Sequence, residues 1–146
     1  MAIADDAVEA RAQGWRTLAA LHARIEERLE KALEKEHGLS VSEYTVLDVL
    51  ARQDGWHMRM QQLARAVVLS QSATTRLVTR LENRNLLRRY LCEDDRRGIY
   101  SEVTPAGRAL LEQAAPTHDA VLKDVLAEAE QLPELAPLVR VLADRG

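Results

Sequence analysis

The stretch LARAVVLSQSATTRLVTRLENRNLLRRYLCEDDRRGIYSEVT, from Leu63 to Thr104, decides how this chain folds. Leu63, Ala64, Val67 and Leu69 are spaced as the apolar side of a short helix, and Ser70 supplies the cap of a second one. In that second helix Ala73, Leu77, Val78 and Leu81 mark the inward side. At about 100° per residue, Gln71, Ser72, Thr75, Arg76, Thr79 and Asn83 fall on the opposite arc. An ordinary solvated helix carries Glu and Lys there. This one carries short hydrogen-bonding side chains and one arginine, the groups that meet base edges and phosphates. Two helices joined by a tight turn, the second with a polar outer face, read as a helix-turn-helix. Leu86 to Cys92 and Ile99 to Val103 then form two short β-like runs joined by Glu93-Asp94-Asp95-Arg96-Arg97-Gly98, an arginine-bearing hairpin or wing.

Upstream, from Asp6 to Glu36, Trp15, Leu18, Leu21, Ile25, Leu29 and Leu33 recur at three- and four-residue steps between charged residues. That is a long amphipathic helix, which at 1.5 Å per residue extends about 45 Å, more than a domain of this size needs for its own core. Part of it is expected to pack on a second chain. Gly38 ends it, and Ser40 with Glu43 makes a capping box for a helix carrying Val41, Tyr44, Leu47 and Leu50. Asp54-Gly55 turns the chain. Downstream, Thr104 and Pro105 open a helix with Leu110, Leu111, Ala114, Val121, Leu122, Val125 and Leu126, which Pro116 should kink or split. Leu132-Pro133 starts a last short helix with Leu135, Leu138, Val141 and Leu142. The division this suggests is an N-terminal dimerisation helix over 1–37, a DNA-binding lobe over 38–104 and C-terminal dimerisation helices over 105–146.

The composition agrees with a mainly α fold bearing a small two-stranded β wing. Apolar residues are 47% of the 146, yet aromatics are 3% with no Phe, so the core must be Leu, Val and Ala, which suits helices packed on helices. The net charge of −3 is unevenly placed: Arg52 to Tyr100 holds ten Arg against five acidic residues, a local +5, and the remainder carries −8. A basic middle between acidic arms fits a middle that touches phosphate. No apolar run is long enough to span a membrane and the first residues are acidic, so a cytoplasmic protein is expected. Cys92 is the lone cysteine, flanked by Glu93 and Asp94, which blunt a thiol; a structural role is expected for it. His22, His37, His57 and His118 are scattered without ligand spacing, and no metal or other cofactor is expected. An enzyme is disfavoured because no Ser/His/Asp set, phosphate loop or carboxylate pair stands at meaningful spacing. A protein-binding module would show Leu, Tyr or Trp on the outer helix face, which is polar here.

From about Leu39 to Gly107 the chain resembles the MarR family of winged-helix transcriptional regulators. Leu39-Ser40 opens the second helix, Leu63-Ala64 and Leu69-Ser70 frame the helix-turn-helix, and Leu81-Glu82-x-Arg84-x-Leu86-Leu87-x-Arg89 leads into the wing. The wing carries the most specific match, Asp95-Arg96-Arg97 followed by Val103-Thr104-Pro105-Ala106-Gly107, similar to the family's D-x-R pattern and its L-T-x-x-G. Val103 replaces the usual Leu, and Asn85 stands where Gly is usual; both types suit their places, a strand and a left-handed helix end. The resemblance implies a homodimer whose terminal helices intertwine, with two lobes reaching successive major grooves of a pseudo-palindromic operator on double-stranded DNA. It implies a repressor, released when a small aromatic or phenolic effector wedges between the lobe and the dimer helices.

On this reading Arg76 presents a two-pronged donor to guanine, while Ser72, Thr75 and Thr79 reach base edges, a thymine methyl or a phosphate. Gln71, at the helix start, favours a phosphate, and Arg80 and Arg84 on the flank are phosphate contacts. Arg80, Arg84, Arg88 and Arg89 also admit a plainer role, as surface charges pairing with Glu82, Glu93 or Asp94. Arg96 and Arg97 belong to the DNA-contacting wing, Arg97 matching the family's minor-groove arginine, and Asp95 would orient a wing arginine or turn N–H. For the effector, Trp15, His22, Tyr44 and Trp56 are the candidates; core packing competes for Trp15 and Tyr44, and partial exposure for His22 and Trp56.

Overall fold

The computed structural model describes residues 2–91 and 98–143, with side chains from Asp6 onward. Over these residues the elements are α1 (Ala2–His37), α2 (Val41–Ala51), β1 (His57–Arg59), α3 (Met60–Ala66), α4 (Gln71–Asn83), β2 (Leu87–Leu91), β3 (Ile99–Val103), α5 (Pro105–Glu130) and α6 (Ala136–Ala143). The chain forms two compact units, Leu33–Thr117 and the combination of Met1–Ala32 with His118–Gly146.

In the Leu33–Thr117 unit, local signals set the helix ends. Gly38 takes a φ of +64°, a left-handed conformation that glycine adopts without a steric penalty. Leu39 N–H then reaches back to the Leu33 carbonyl at 3.3 Å. The capping box forms as the sequence predicts: Glu43 N–H donates to Ser40 Oγ at 3.0 Å, and Ser40 N–H to Glu43 Oε1 at 2.9 Å. Between α2 and β1, Gly55 (φ +76°) and Trp56 (φ +58°) are both left-handed, which makes the Asp54-Gly55 turn a sharp one. Thr104 Oγ1 caps α5 by accepting the Gly107 N–H at 3.0 Å. Leu47, Leu50, Leu63, Val78, Leu81 and Leu87 are sealed from solvent in the core, each side chain supplying about 1.5–3 kcal/mol of transfer free energy.

The sheet order is β1-β3-β2, antiparallel throughout, with Arg59 and Tyr90 both opposite Tyr100 and Leu87 opposite Val103. The expected hairpin of β2 and β3 is therefore joined by a third strand. His57-Met58-Arg59 is too short to show an alternating pattern, and its partner lies some forty residues further on, so pairing rather than local propensity makes it a strand. Among the described residues of this unit two small polar side chains are buried and both are satisfied: Thr74 Oγ1 donates to the Ser70 carbonyl at 2.8 Å, and Ser101 Oγ to Met60 Sδ at 2.8 Å.

The other unit has a small core of Leu21, Ala129, Leu135 and Val139, ringed by Ile25, Leu126, Leu132 and Leu138. Arg28 pairs with Glu128 at 2.7 Å across it. Its last helix begins at Ala136 rather than beside Leu132-Pro133, because the chain first makes turns in which Leu135 and Ala136 N–H groups both bond the Leu132 carbonyl. Helix α5 runs through Pro116 unbroken. Pro116 has no N–H to donate to the Glu112 carbonyl, and both residues lie at the exposed surface, where the cost of that missing bond is least.

Candidate nucleic-acid interface

Helix α4 is the element on which the site is built. Ser70 Oγ accepts the Ala73 N–H at 3.1 Å, fixing the helix start. Leu77, Val78 and Leu81 face inward as expected, joined by Thr74, while Ala73 is half-exposed. Gln71, Ser72, Thr75, Arg76 and Asn83 are exposed and Thr79 is half-exposed, so the polar arc read from the sequence is one contiguous outer face. Thr75 Oγ1 donates to the Gln71 carbonyl at 2.9 Å and Thr79 Oγ1 to the Thr75 carbonyl at 2.8 Å. These hydroxyls have spent their protons on the helix. What they offer outward is oxygen lone pairs and γ-methyl groups, suited to the amino groups of cytosine and adenine or to a thymine methyl. Among the described residues no ion pair engages Arg76, which leaves its five donors for a ligand.

Two carboxylates, Glu43 and Glu82, hold this face in position through ion pairs. At the far end of α4, Arg84 Nη1 lies 3.1 Å from Glu43 Oε2, and Arg80 Nε approaches the same oxygen at 3.5 Å. Glu43 is only 5% exposed. Burial pushes its carboxyl pKa up, but the Ser40 hydrogen bonds and the Arg84 charge outweigh this and leave it below its ordinary value. On the wing side, Glu82 accepts from Arg89 Nη2 at 2.8 Å and from the Arg89 N–H at 3.2 Å. The side-chain bond from Arg89 is the main reason its pKa is lowered. The pairs thus tie α4 to the start of α2 and to β2. Of the pairings that the sequence admits for these arginines, Arg89 with Glu82 is present, whereas Arg88 bonds Glu102 at 2.6 Å across the sheet and Arg84 takes Glu43.

Glu43 has a consequence for pH. A carboxyl with a lowered folded pKa stabilises the fold fully above its unfolded value, and that contribution disappears as pH falls through the folded value. Glu43→Gln is expected to cost about 1–3 kcal/mol at pH 7, because Arg84 loses a buried charged acceptor. It should also flatten the loss of stability below pH 4.5 relative to the parent, as read by urea unfolding at several pH values.

Between α4 and the sheet lies a cleft of about 290 Å³ lined by Arg59, Met60, Gln61, Gln71, Thr75, Arg89, Gly98 and Ile99. Arg59 and Gln61 were not legible as site residues: α3 starts without a side-chain cap, so nothing in the sequence marks where its first turn sits. Arg59 Nε donates to Tyr100 Oη at 3.1 Å, which places this cation at the cleft edge beside Gln71 and Thr75. Asp95, Arg96 and Arg97, with Cys92, lie outside the described residues.

The effector candidates fall in different surroundings. Trp15 is 68% exposed on α1, His22 is exposed with Nε2 3.9 Å from Glu26, and Tyr44 is buried in the α2 core. Trp56 is half-buried, with the Arg108 guanidinium 4.3 Å above its ring. The two border a cleft of about 430 Å³ with Asp48, Leu111, Glu112 and Ala115. Among the described residues no cluster of His, Cys, Asp and Glu could hold a metal ion, and no helix is long and apolar enough to cross a membrane.

A polar helix face beside an arginine-bearing sheet defines a winged helix-turn-helix. Comparison with known proteins agrees. The sequence profile of the MarR family matches residues 37–98. The HTH-type transcriptional regulator PecS of Dickeya dadantii is 30% identical over 112 residues, covering 76% of this chain and 67% of its own. The crystal structure of AbsC, a MarR family transcriptional regulator from Streptomyces coelicolor, is 34% identical with a TM-score of 0.74 over 90% of both chains. Sco3205, a MarR family regulator from the same organism solved in complex with DNA, is 27% identical with a TM-score of 0.74, covering 89% of this chain and 83% of its own. The chain belongs to the MarR family and is a DNA-binding transcriptional regulator, not an enzyme.

Proposed function

We propose that this regulator is a homodimeric repressor that occupies a pseudo-palindromic operator and is released by a small aromatic or phenolic acid. The observation that carries the operator contact is the outer face of α4, where Arg76 stands unengaged among the described residues between Ser72, Thr75 and Thr79. Arg76 is assigned to a guanine edge, and Gln71, Arg80 and Arg84 to phosphates, Arg84 keeping its Glu43 bond while donating through its remaining N–H groups. The wing residues Asp95, Arg96 and Arg97 keep their assignment from the family pattern.

The dimer is supported by the unit formed from Met1–Ala32 and His118–Gly146. Val8, Trp15 and Leu18 on α1 and Val141 and Leu142 on α6 are between 51% and 68% exposed. A monomer rarely leaves that many large apolar side chains open on two helices, and a second copy of the same surface covers them with two-fold symmetry. Trp15 thereby acquires an interface role. For the effector, the Trp56–Arg108 cleft offers an aromatic face and a cation, the pair that an aromatic carboxylate requires. Light scattering tests the dimer: the parent should run at twice the chain mass, and Trp15→Glu with Leu18→Glu should run at one chain mass at micromolar concentration, an affinity loss of about 100-fold or more. A double variant that keeps the parent's mass would remove α1 from the interface.

A further inference from the structure

Helices α3 and α4 end in the same way but with very different residues at the decisive position. At the end of α4, Asn85 N–H donates to the Glu82 carbonyl at 2.9 Å and Leu86 N–H to the Leu81 carbonyl at 3.0 Å. This is a Schellman motif with its left-handed residue, Asn85, at φ +62°. At the end of α3, Val68 N–H donates to the Arg65 carbonyl at 3.2 Å and Leu69 N–H to the Ala64 carbonyl at 3.1 Å, with Val68 at φ +58°. Asparagine tolerates this conformation, whereas a β-branched side chain is among the worst choices for it. The fold gives nothing back for the strain, because Val68 is 86% exposed. Glycine would serve the turn better in every respect that concerns folding.

We propose that Val68 is a DNA-contacting residue of this regulator, its isopropyl group packing on an apolar edge of the operator, either a thymine 5-methyl or a deoxyribose face. The inference rests on α4 being the element that meets DNA. Val68 lies two residues before the Ser70 cap and three before Gln71, the first residue of the α4 outer face, and it is exposed as Gln71 is. Strained backbone in a folded protein gathers where a ligand is held, and here the strain fixes an apolar group beside a polar reading face. Because the side chain is uncharged, its contact adds to affinity without adding to the release of counterions.

The test uses Val68→Gly and Val68→Ala in the full chain, with a duplex that the parent protein enriches from a random pool. Stability and affinity should move in opposite directions. Val68→Gly should raise the thermal midpoint by about 4 °C or more through relief of the left-handed β-branched residue. It should weaken duplex binding about tenfold, with the same salt slope and the same solution mass as the parent. Val68→Ala keeps a Cβ, and hence a stiff turn, so an equal affinity loss there excludes flexibility as the cause. Replacing the duplex thymines by uracil separates the two edges: a parent that then binds as weakly as Val68→Gly locates the contact at a methyl, and an unchanged parent at a deoxyribose. Binding by both variants within twofold of the parent overturns the inference while leaving the α4 reading intact. A parent that enriches no duplex overturns both.

Discussion

Gly107→Ala should destabilise the Leu33–Thr117 unit by about 3 kcal/mol or more, lowering the thermal midpoint by over about 10 °C. A Cβ at this position would overlap the Leu86 carbonyl oxygen and come within 2.8 Å of Val103 Cγ1. Neither neighbour is at liberty to move. The Leu86 carbonyl accepts the Thr104 N–H at 3.1 Å, Thr104 Oγ1 donates to the Asn85 carbonyl at 2.7 Å, and Val103 is buried in the pair with Leu87. The added methyl must therefore push the first turn of α5 away from the end of α4 and open the sheet beneath it. Circular dichroism during heating measures this, and a midpoint within about 2 °C of the parent would mean that the approach of α5 to Leu86 is looser than the structure has it.

Arg76→Ala should weaken binding to the selected operator by about 1–3 kcal/mol, about 5- to 150-fold, and relax the preference at one base position in each half-site. The reason lies in what surrounds it. Arg80 and Arg84 share Glu43 and Arg89 is held by Glu82, whereas Arg76 has no such partner among the described residues and projects from the centre of the α4 face. Its fork matches the paired acceptors of guanine, so its loss should change which sequences bind, not only how tightly. Arg80→Ala supplies the contrast: weaker binding to all sequences alike, with the slope of log affinity on log salt reduced by about 0.9. Binding by the Arg76 variant with parental affinity and preference would mean that another face of α4 enters the groove.

Much of this was legible in the sequence because the relevant signals are local. Gly38, the Ser40/Glu43 box, Ser70 and Thr104-Pro105 each place a helix end through bonds spanning three to six residues. The apolar spacing of α4 separates its core side from its reading face for the same reason. What escaped depends on partners distant in the chain or on a residue that contradicts its local role. Strand β1 exists through pairing with β3, and the Glu43–Arg84 link joins residues 41 apart that carry no mutual signal. Thr74 is buried although polar, because its hydroxyl is satisfied by its own helix. Val68 gave no sign of a left-handed turn, since glycine and asparagine are the residues that announce one. Trp15, open to core packing on its spacing alone, is 68% exposed, and only the burial pattern of its unit reveals that.

Whether α4 reads DNA as one of a symmetric pair is tested by selecting duplexes from a random DNA pool with the purified full chain at physiological salt. A two-fold symmetric motif is expected, with half-sites about ten base pairs apart, the spacing that two copies of α4 related by a dimer axis would reach. A folded, dimeric protein that enriches no motif, or a motif without symmetry, would contradict the assignment of α4 as a paired reader of DNA.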